Sequence, residues 1–215
     1  MINNFKRISF LAALFLVTAV CAQERTIKAD VWSDNWFAVY LEDELLMEDS
    51  VPFETEQSKN KDSFTFTAEL PAQISIIARD FIENDSGLEY IGRARQQIGD
   101  GGYSAQFIDA ESGEVLAVSD ETWHCKSIHR APLNRSCELS PDPLADCERE
   151  VMEAPEGWMS SDFDDSDWPT ATVYSERTVR PSRGYDEVRW DSGAKLIWAE
   201  DLEIDNTVLC RVELN

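Results

Sequence analysis

Along most of the chain apolar and polar residues alternate with a period of two, the spacing of a strand with one buried face. Ile27, Ala29 and Val31 open the series, and Trp36 to Leu41 continue it through Phe37, Val39 and Leu41. Phe64, Phe66 and Ala68 alternate with Thr65 and Thr67, and Ile74, Ile76 and Ala78 follow Pro71. Later come Tyr103, Ala105 and Phe107, then Val115 to Val118, Trp123 to Cys125, Ala171 to Tyr174, and Leu196 to Trp198. The last run, Thr207 to Leu214, places Val208, Cys210, Val212 and Leu214 on one face. Roughly nine or ten short strands with few helical stretches predict an all-β fold, an antiparallel β-sandwich or jelly roll with long loop insertions.

The breaks between these runs carry their own signal. Gly99-Asp100-Gly101-Gly102 reads as a turn, and Glu111-Ser112-Gly113 as a hairpin connection. Lys126 to Pro155 is a long polar insertion containing Pro132, Pro141, Pro143 and Pro155. A structureless loop of that size is unusual unless it is tied down or functional. No repeat and no boundary interrupts the pattern, so residues 23–215 are expected to form a single domain.

Residues 1–22 break the alternation and read as a secretory signal. Lys6 and Arg7 supply a positive start, Phe10 to Val20 a short apolar stretch, and Val20-Cys21-Ala22 a small-residue cleavage pattern. The stretch is short for a membrane span, which needs about 20 apolar residues. A lipid-bearing Cys21 is the competing reading, and Val20 before it suits that poorly. The expected location is secreted or periplasmic, with no integral membrane segment in the mature chain.

Composition sharpens this picture. Of 215 residues 43% are hydrophobic, enough to build a core and so to argue against global disorder. Lysine and arginine total 19 against 42 acidic residues, a net charge of -23. Loss of residues 1–22 removes two positive charges and no acidic ones, taking the charge to -25. Such a chain repels phosphate backbones and anionic lipid, which excludes nucleic acid as a partner and a polybasic membrane role. Salt screens its self-repulsion, so a saline exterior suits it.

Four cysteines remain beyond residue 22: Cys125, Cys137, Cys147 and Cys210. An even count in an exported chain points to disulfides, with three connectivities open. Cys210 lies on the apolar face of the last run and Cys125 shares a face with Trp123. Cys125 with Cys210 inside the sandwich, and Cys137 with Cys147 within the insertion, is therefore the favoured pairing. Zinc held by these cysteines with His124 and His129 is the alternative, but the spacing matches no standard finger.

Trp123, then Gly157-Trp158, then Phe163-Asp164-Asp165-Ser166-Asp167-Trp168-Pro169-Thr170-Ala171 resemble the signature of galactose-binding-like jelly-roll modules. Ala29 to Tyr40 is similar to their opening strand pair, and Ile74 to Asp80 with Gly102 to Phe107 to a later one. The resemblance spans Ala29 to Arg211. Glu42-Asp43-Glu44 replaces the usual Asn-Gly turn, and the stretches 80–92 and 126–155 are elaborated. Because such modules accompany glycoside hydrolases and surface proteins, the resemblance implies a carbohydrate or a glycosylated surface as partner.

The loop from Asp80 to Asp100 concentrates the groups that sugar hydroxyls need, paired donors and acceptors beside an aromatic ring. Asp80, Asn84, Tyr90, Gln96 and Gln97 are the expected ligand contacts, with Tyr90 exposed. Trp32, Trp36 and Tyr103 are further stacking candidates, although tryptophans in small sandwiches usually belong to the core. Asp162, Asp164, Asp165 and Asp167 suggest calcium, the one cofactor the pattern suits, but lack the glycine and glutamate of an EF-hand loop. Capping by Asp165 and Ser166, with Phe163 and Trp168 as anchors, is the expected role there. No nucleophile elbow or His-Glu-x-x-His is present, so a non-catalytic binding module is expected. Asn84-Asp85-Ser86 and Asn134-Arg135-Ser136 fit the N-glycosylation pattern, which matters only in a host that glycosylates. A structural or adhesive envelope protein with an acidic, calcium-dependent surface is the alternative function.

Overall fold

The computed structural model describes residues 24–215; the expected signal segment and Cys21 lie outside the described residues. In chain order the strands are β1 (Glu24–Asp34), β2 (Trp36–Leu41), β3 (Glu44–Glu48), β4 (Lys59–Glu69), β5 (Ala72–Arg79), β6 (Leu88–Glu89) and β7 (Gln97–Ile98). Then follow β8 (Gly102–Asp109), β9 (Val115–Val118), β10 (His124–Arg130), β11 (Glu150–Val151), β12 (Thr172–Tyr174), β13 (Leu196–Trp198) and β14 (Asp205–Leu214). Two four-residue helices, α1 (Pro143–Asp146) and α2 (Glu176–Val179), lie in connections.

These strands form two antiparallel sheets packed face to face, an all-β sandwich. The first runs β12-β13-β8-β1-β4, with β9 also on β8; the second runs β11-β10-β14-β5-β2-β3. The chain changes sheet between β1 and β2 and again between β3, β4 and β5, so both sheets fill from segments distant in sequence. β6 and β7 make a separate two-stranded ribbon.

The predicted alternation builds the interior. Ile27, Ala29 and Val31 of β1 and Tyr103, Ala105 and Phe107 of β8 are fully buried, as are Ile74, Ile76 and Ala78 of β5 and Val208 and Cys210 of β14. Tyr103 and Phe107 pack on Trp123 with ring centroids 5.9 and 6.4 Å apart. Two of the core indoles keep a partner: Trp123 Nε1 donates to the Val118 carbonyl and Trp198 Nε1 to the Asp205 carbonyl, at 2.6 and 2.7 Å.

Both outer faces are covered as well. Trp32 and Val31 point to opposite sides of β1, yet neither reaches solvent. The connection after α2 folds back over the outer face of the first sheet, where Tyr185 meets Trp32 edge-on at 5.5 Å and the Ser182 carbonyl accepts from Trp32 Nε1 at 2.7 Å. Trp158 and Trp168 cover the second sheet, packing on Leu209 with Ile77 and Ile128. With its faces occupied, the sandwich offers its ends and edges.

Cys125 and Cys210 are directly opposed in the β10–β14 ladder, Cα atoms 4.2 Å apart, and stand at disulfide distance. Cys137 and Cys147, Cα atoms 5.3 Å apart, close the insertion on itself. Strand β10 extends to Arg130, so the first residues of the predicted insertion belong to the second sheet and the loop starts at Ala131. Pairing with β14 overrides the polar composition of Lys126 to Arg130.

Candidate functional site

At the end of the sandwich where β1 stops, a cleft of about 300 Å³ opens between β1, β4 and the β6–β7 ribbon. Asn35 organises it. Its Nδ2 donates to the Ser58 carbonyl at 2.7 Å and its Oδ1 accepts from the Phe81 amide at 2.6 Å, all within the buried end of the fold. One side chain thereby pins the loop before β4 and the loop after β5 to the same corner. Asp34 and Lys59 are cross-strand partners in the β1–β4 register, and Lys59 Nζ lies 2.5 Å from Asp34 Oδ2.

The ribbon supplies the opposite wall. Glu89 of β6 faces Gln97 of β7, whose Nε2 donates to Glu89 Oε2 at 2.8 Å. Tyr90 and Asp100 continue this wall, and Arg183 closes the rim, its Nη1 donating to the Gln57 carbonyl. The ribbon is held from behind by the insertion, because Leu88, Ile91 and Ile98 pack on the Cys137–Cys147 pair. Gln96 Nε2 adds hydrogen bonds to the carbonyls of Glu138 and Ser140, at 2.7 and 2.9 Å. The insertion is thus tied down, and what it supports is the wall of the cleft.

Burial shapes the electrostatics. It pushes the Asp34 carboxyl up to about 7, against the pull of Lys59. It also pushes Glu89 up to about 7, opposed by the Gln97 hydrogen bond and reinforced by the charge of Asp100. Asp100 is raised too, again chiefly by burial. Behind the cleft Asp80 is 1% exposed, and burial followed by the charges of Glu89, Asp34 and Asp100 holds it well above the carboxylate range. The adjacent Phe81 amide offsets part of this rise, but its hydrogen bond goes to Asn35 Oδ1, which leaves both Asp80 oxygens without a well-formed partner of their own. Perturbed carboxyls gathered in a cleft are a common mark of function.

The expected contact residues therefore separate. Tyr90 and Gln97 line the cleft and Asp80 lies behind it. Tyr90 is buried rather than exposed, at 4%, and one ring face is covered by the Arg95 guanidinium 3.7 Å from the centroid. Asn84 and Gln96 are elsewhere: Asn84 Oδ1 closes a tight turn on the Ser86 amide at 2.9 Å, and Gln96 is spent on the insertion. Trp32 and Tyr103 are core. Asp34, Asn35, Lys59, Glu89 and Asp100 complete the site. The signal for the first two is the polar pair Asp34-Asn35 interrupting two clean alternations.

The acidic stretch at 162–167 has a different role. Asp164 caps the Ser166 amide at 3.1 Å, while Asp165 binds His124 Nδ1 at 3.0 Å and Arg211 Nε at 2.6 Å. Among the described residues no group of three or more His, Cys, Asp or Glu side chains is arranged to hold a metal ion, and no helix is long and apolar enough to cross a membrane. At the opposite end of the sandwich, wider depressions of about 530 and 400 Å³ lie around Arg25 and the β2–β3 turn. Arg25 is paired there with Asp109 and Glu114, at 3.2 and 2.9 Å. Comparison with protein-family models, with curated proteins and with solved structures finds no match to this chain.

Proposed function

We propose that this chain is an exported, non-catalytic carbohydrate-binding module whose ligand sits in the cleft at the end of β1. One observation carries the reading. Carboxyls, a carboxamide, cationic groups and a tyrosine converge on a preformed cleft held from behind by a cross-linked insertion. Its size lies at the lower end of small-molecule sites, about 300–1,000 Å³, which suits a short stretch of a glycan. Polar groups of both signs are the chemistry that sugar hydroxyls require. The likeness to galactose-binding-like modules adds support from the sequence side.

The test is retention of the purified chain on a glycan array and on insoluble polysaccharides. Retention by at least one sugar class is expected, weakened about tenfold by Gln97→Ala, a loss near 1.4 kcal/mol. Absence of retention on every class, or retention indifferent to cleft substitutions, would overturn the reading.

A hydrolytic function has one observation in its favour: two carboxyls near 7, Asp34 and Glu89, in a single cleft. Release of reducing ends that disappears in Glu89→Gln would establish it in place of simple binding.

A further inference from the structure

Several donors of the cleft are already engaged, while two of its carboxyls are short of partners. Lys59 is paired with Asp34 at 2.5 Å, Arg183 Nη1 with the Gln57 carbonyl, the Gln97 amide with Glu89 at 2.8 Å, and both polar atoms of Asn35 with backbone. Among the described residues the half-buried Asp100 carboxyl has no hydrogen-bond donor or ion-pair partner, and Glu89 has one donor, on Oε2. Asp80 extends this surplus inward. Its carboxyl lies against the backbone that leads into Asp100, so that a Cβ on Gly99 would stand 2.1 Å from Asp80 Oδ2. A fully buried acid with both oxygens unpartnered marks a corner built with more acceptors than the protein itself satisfies.

Resting on the carbohydrate reading above, we infer that the cleft is selective for amine-bearing sugars, the carboxylates of Glu89 and Asp100 receiving the ammonium group. An ammonium brings three donors and a positive charge, whereas a hydroxyl brings one donor and also demands an acceptor's complement. An acetylated amine has one N–H and no charge, and a uronic acid adds a further carboxylate to a cleft already rich in them. The titratable groups facing Glu89 and Asp100 are the acids Asp34, Asp80 and Glu203 and the cations Lys59, Arg95, Arg180 and Arg183. With Lys59 taken up by Asp34 and none of the arginines at ion-pair distance, the two receiving carboxyls lack a direct counter-ion, which the ligand supplies. Glu89 holds its proton up to about 7, so seating an ammonium against it expels that proton to solvent.

Calorimetric titration of the full chain with short oligomers of glucosamine, N-acetylglucosamine, glucose and glucuronic acid tests this, at mildly acidic pH where the sugar amine carries its proton. The glucosamine oligomer is expected to bind at least about tenfold more tightly than the N-acetylated one. Its binding enthalpy should change with buffer ionisation enthalpy in the sense of proton release. Glu89→Gln and Asp100→Asn should abolish that preference and the proton release while leaving the thermal transition cooperative. Equal or tighter binding of the neutral, acetylated or acidic oligomers would overturn the amine selectivity and leave the carbohydrate reading standing. Failure of all four to bind would likewise overturn the amine selectivity, while the carbohydrate reading stands or falls on the glycan array and polysaccharide retention.

Discussion

Asp165 Oδ2 and Arg211 Nε meet at 2.6 Å, and through that pair the segment from Trp158 to Trp168 is fastened to the outer face of the second sheet. Arg211 is 3% exposed on β14, and its remaining nitrogens donate to the Trp158, Ser160 and Phe163 carbonyls and to Gln73 Oε1. The Phe163-Asp164-Asp165-Ser166-Asp167-Trp168 stretch is thus a staple whose polar core is one guanidinium. In the structure these residues serve the packing of the sheet, apart from the cleft.

Arg211→Met should therefore be among the most damaging single substitutions. It strands Asp165 and leaves three carbonyls without their donor, and breaking a buried pair in this way costs about 3–5 kcal/mol. Asp165→Asn, on the more exposed partner, should cost about 1–2 kcal/mol because it can still accept from Arg211. Urea denaturation of both variants measures the difference. Equal effects would show that the ion pair, and not the carbonyl set, holds the segment.

Legibility in the sequence followed the physics of each region. Where a strand buries one face, side chains must alternate, so the cores of β1, β2, β5, β8 and β14 are legible in the sequence itself. Strand β3 was not, because Glu44-Leu45-Leu46-Met47-Glu48 lacks alternation at an exposed edge and its hairpin turn carries Glu42, at φ 49°, in place of Asn-Gly. Trp32 shows the limit of reasoning from one sheet: both faces of β1 are buried, the second by a segment 150 residues away. The cleft was half legible. Tyr90 and Gln97 came from a loop dense in polar groups, whereas Lys59 enters through the β1–β4 register and Arg183 through a long return, relations that depend on topology.

Stability should fall as the solution passes from mildly acidic to alkaline. Burial raises Asp34 and Glu89 to about 7 and Asp49 to about 6, against ordinary values near 4. Each folded value lies above its unfolded one, so the native chain binds more protons and the slope of stability with pH is negative between them. The contribution is complete below about pH 4 and is lost as pH rises through about 7. Melting temperature should drop between about pH 5 and pH 8, and Glu89→Gln should reduce the accompanying loss of unfolding free energy by about 1–3 kcal/mol. A wild-type melting temperature that stays level or rises over this interval would contradict the burial of these acids.

The two cysteine pairs should have separable effects. Closing a loop whose ends are 85 residues apart restricts the unfolded chain more than closing one of 10, so Cys125→Ser with Cys210→Ser should cost about 4–5 kcal/mol and Cys137→Ser with Cys147→Ser about 2–3 kcal/mol. Only the second pair backs the β6–β7 ribbon through Leu88, Ile91 and Ile98. Hydrogen exchange should therefore quicken at residues 88–98 in the second variant while β10 and β14 stay protected. Global rather than local loosening would show that the insertion does not act on the cleft wall.

Gly99 and Asp80 provide the most direct probe of how tightly the back of the cleft is built. No side chain fits at Gly99, because its Cβ would fall 2.1 Å from Asp80 Oδ2 and 3.0 Å from Asp80 Cγ. Gly99→Ala must therefore displace the carboxyl, at the overpacking cost of about 1–3 kcal/mol. Asp80→Ala removes a buried acid that has no hydrogen-bond partner, so it should leave stability unchanged or raise it, most of all at alkaline pH. In that background the space in front of Gly99 is free, and Gly99→Ala should cost little. The double-mutant cycle, read by denaturant unfolding, should return a coupling of about 1–3 kcal/mol, the size typical of residues in direct contact. Additive effects would mean that the glycine is required by backbone conformation and that the Asp80 carboxyl does not occupy the space in front of it.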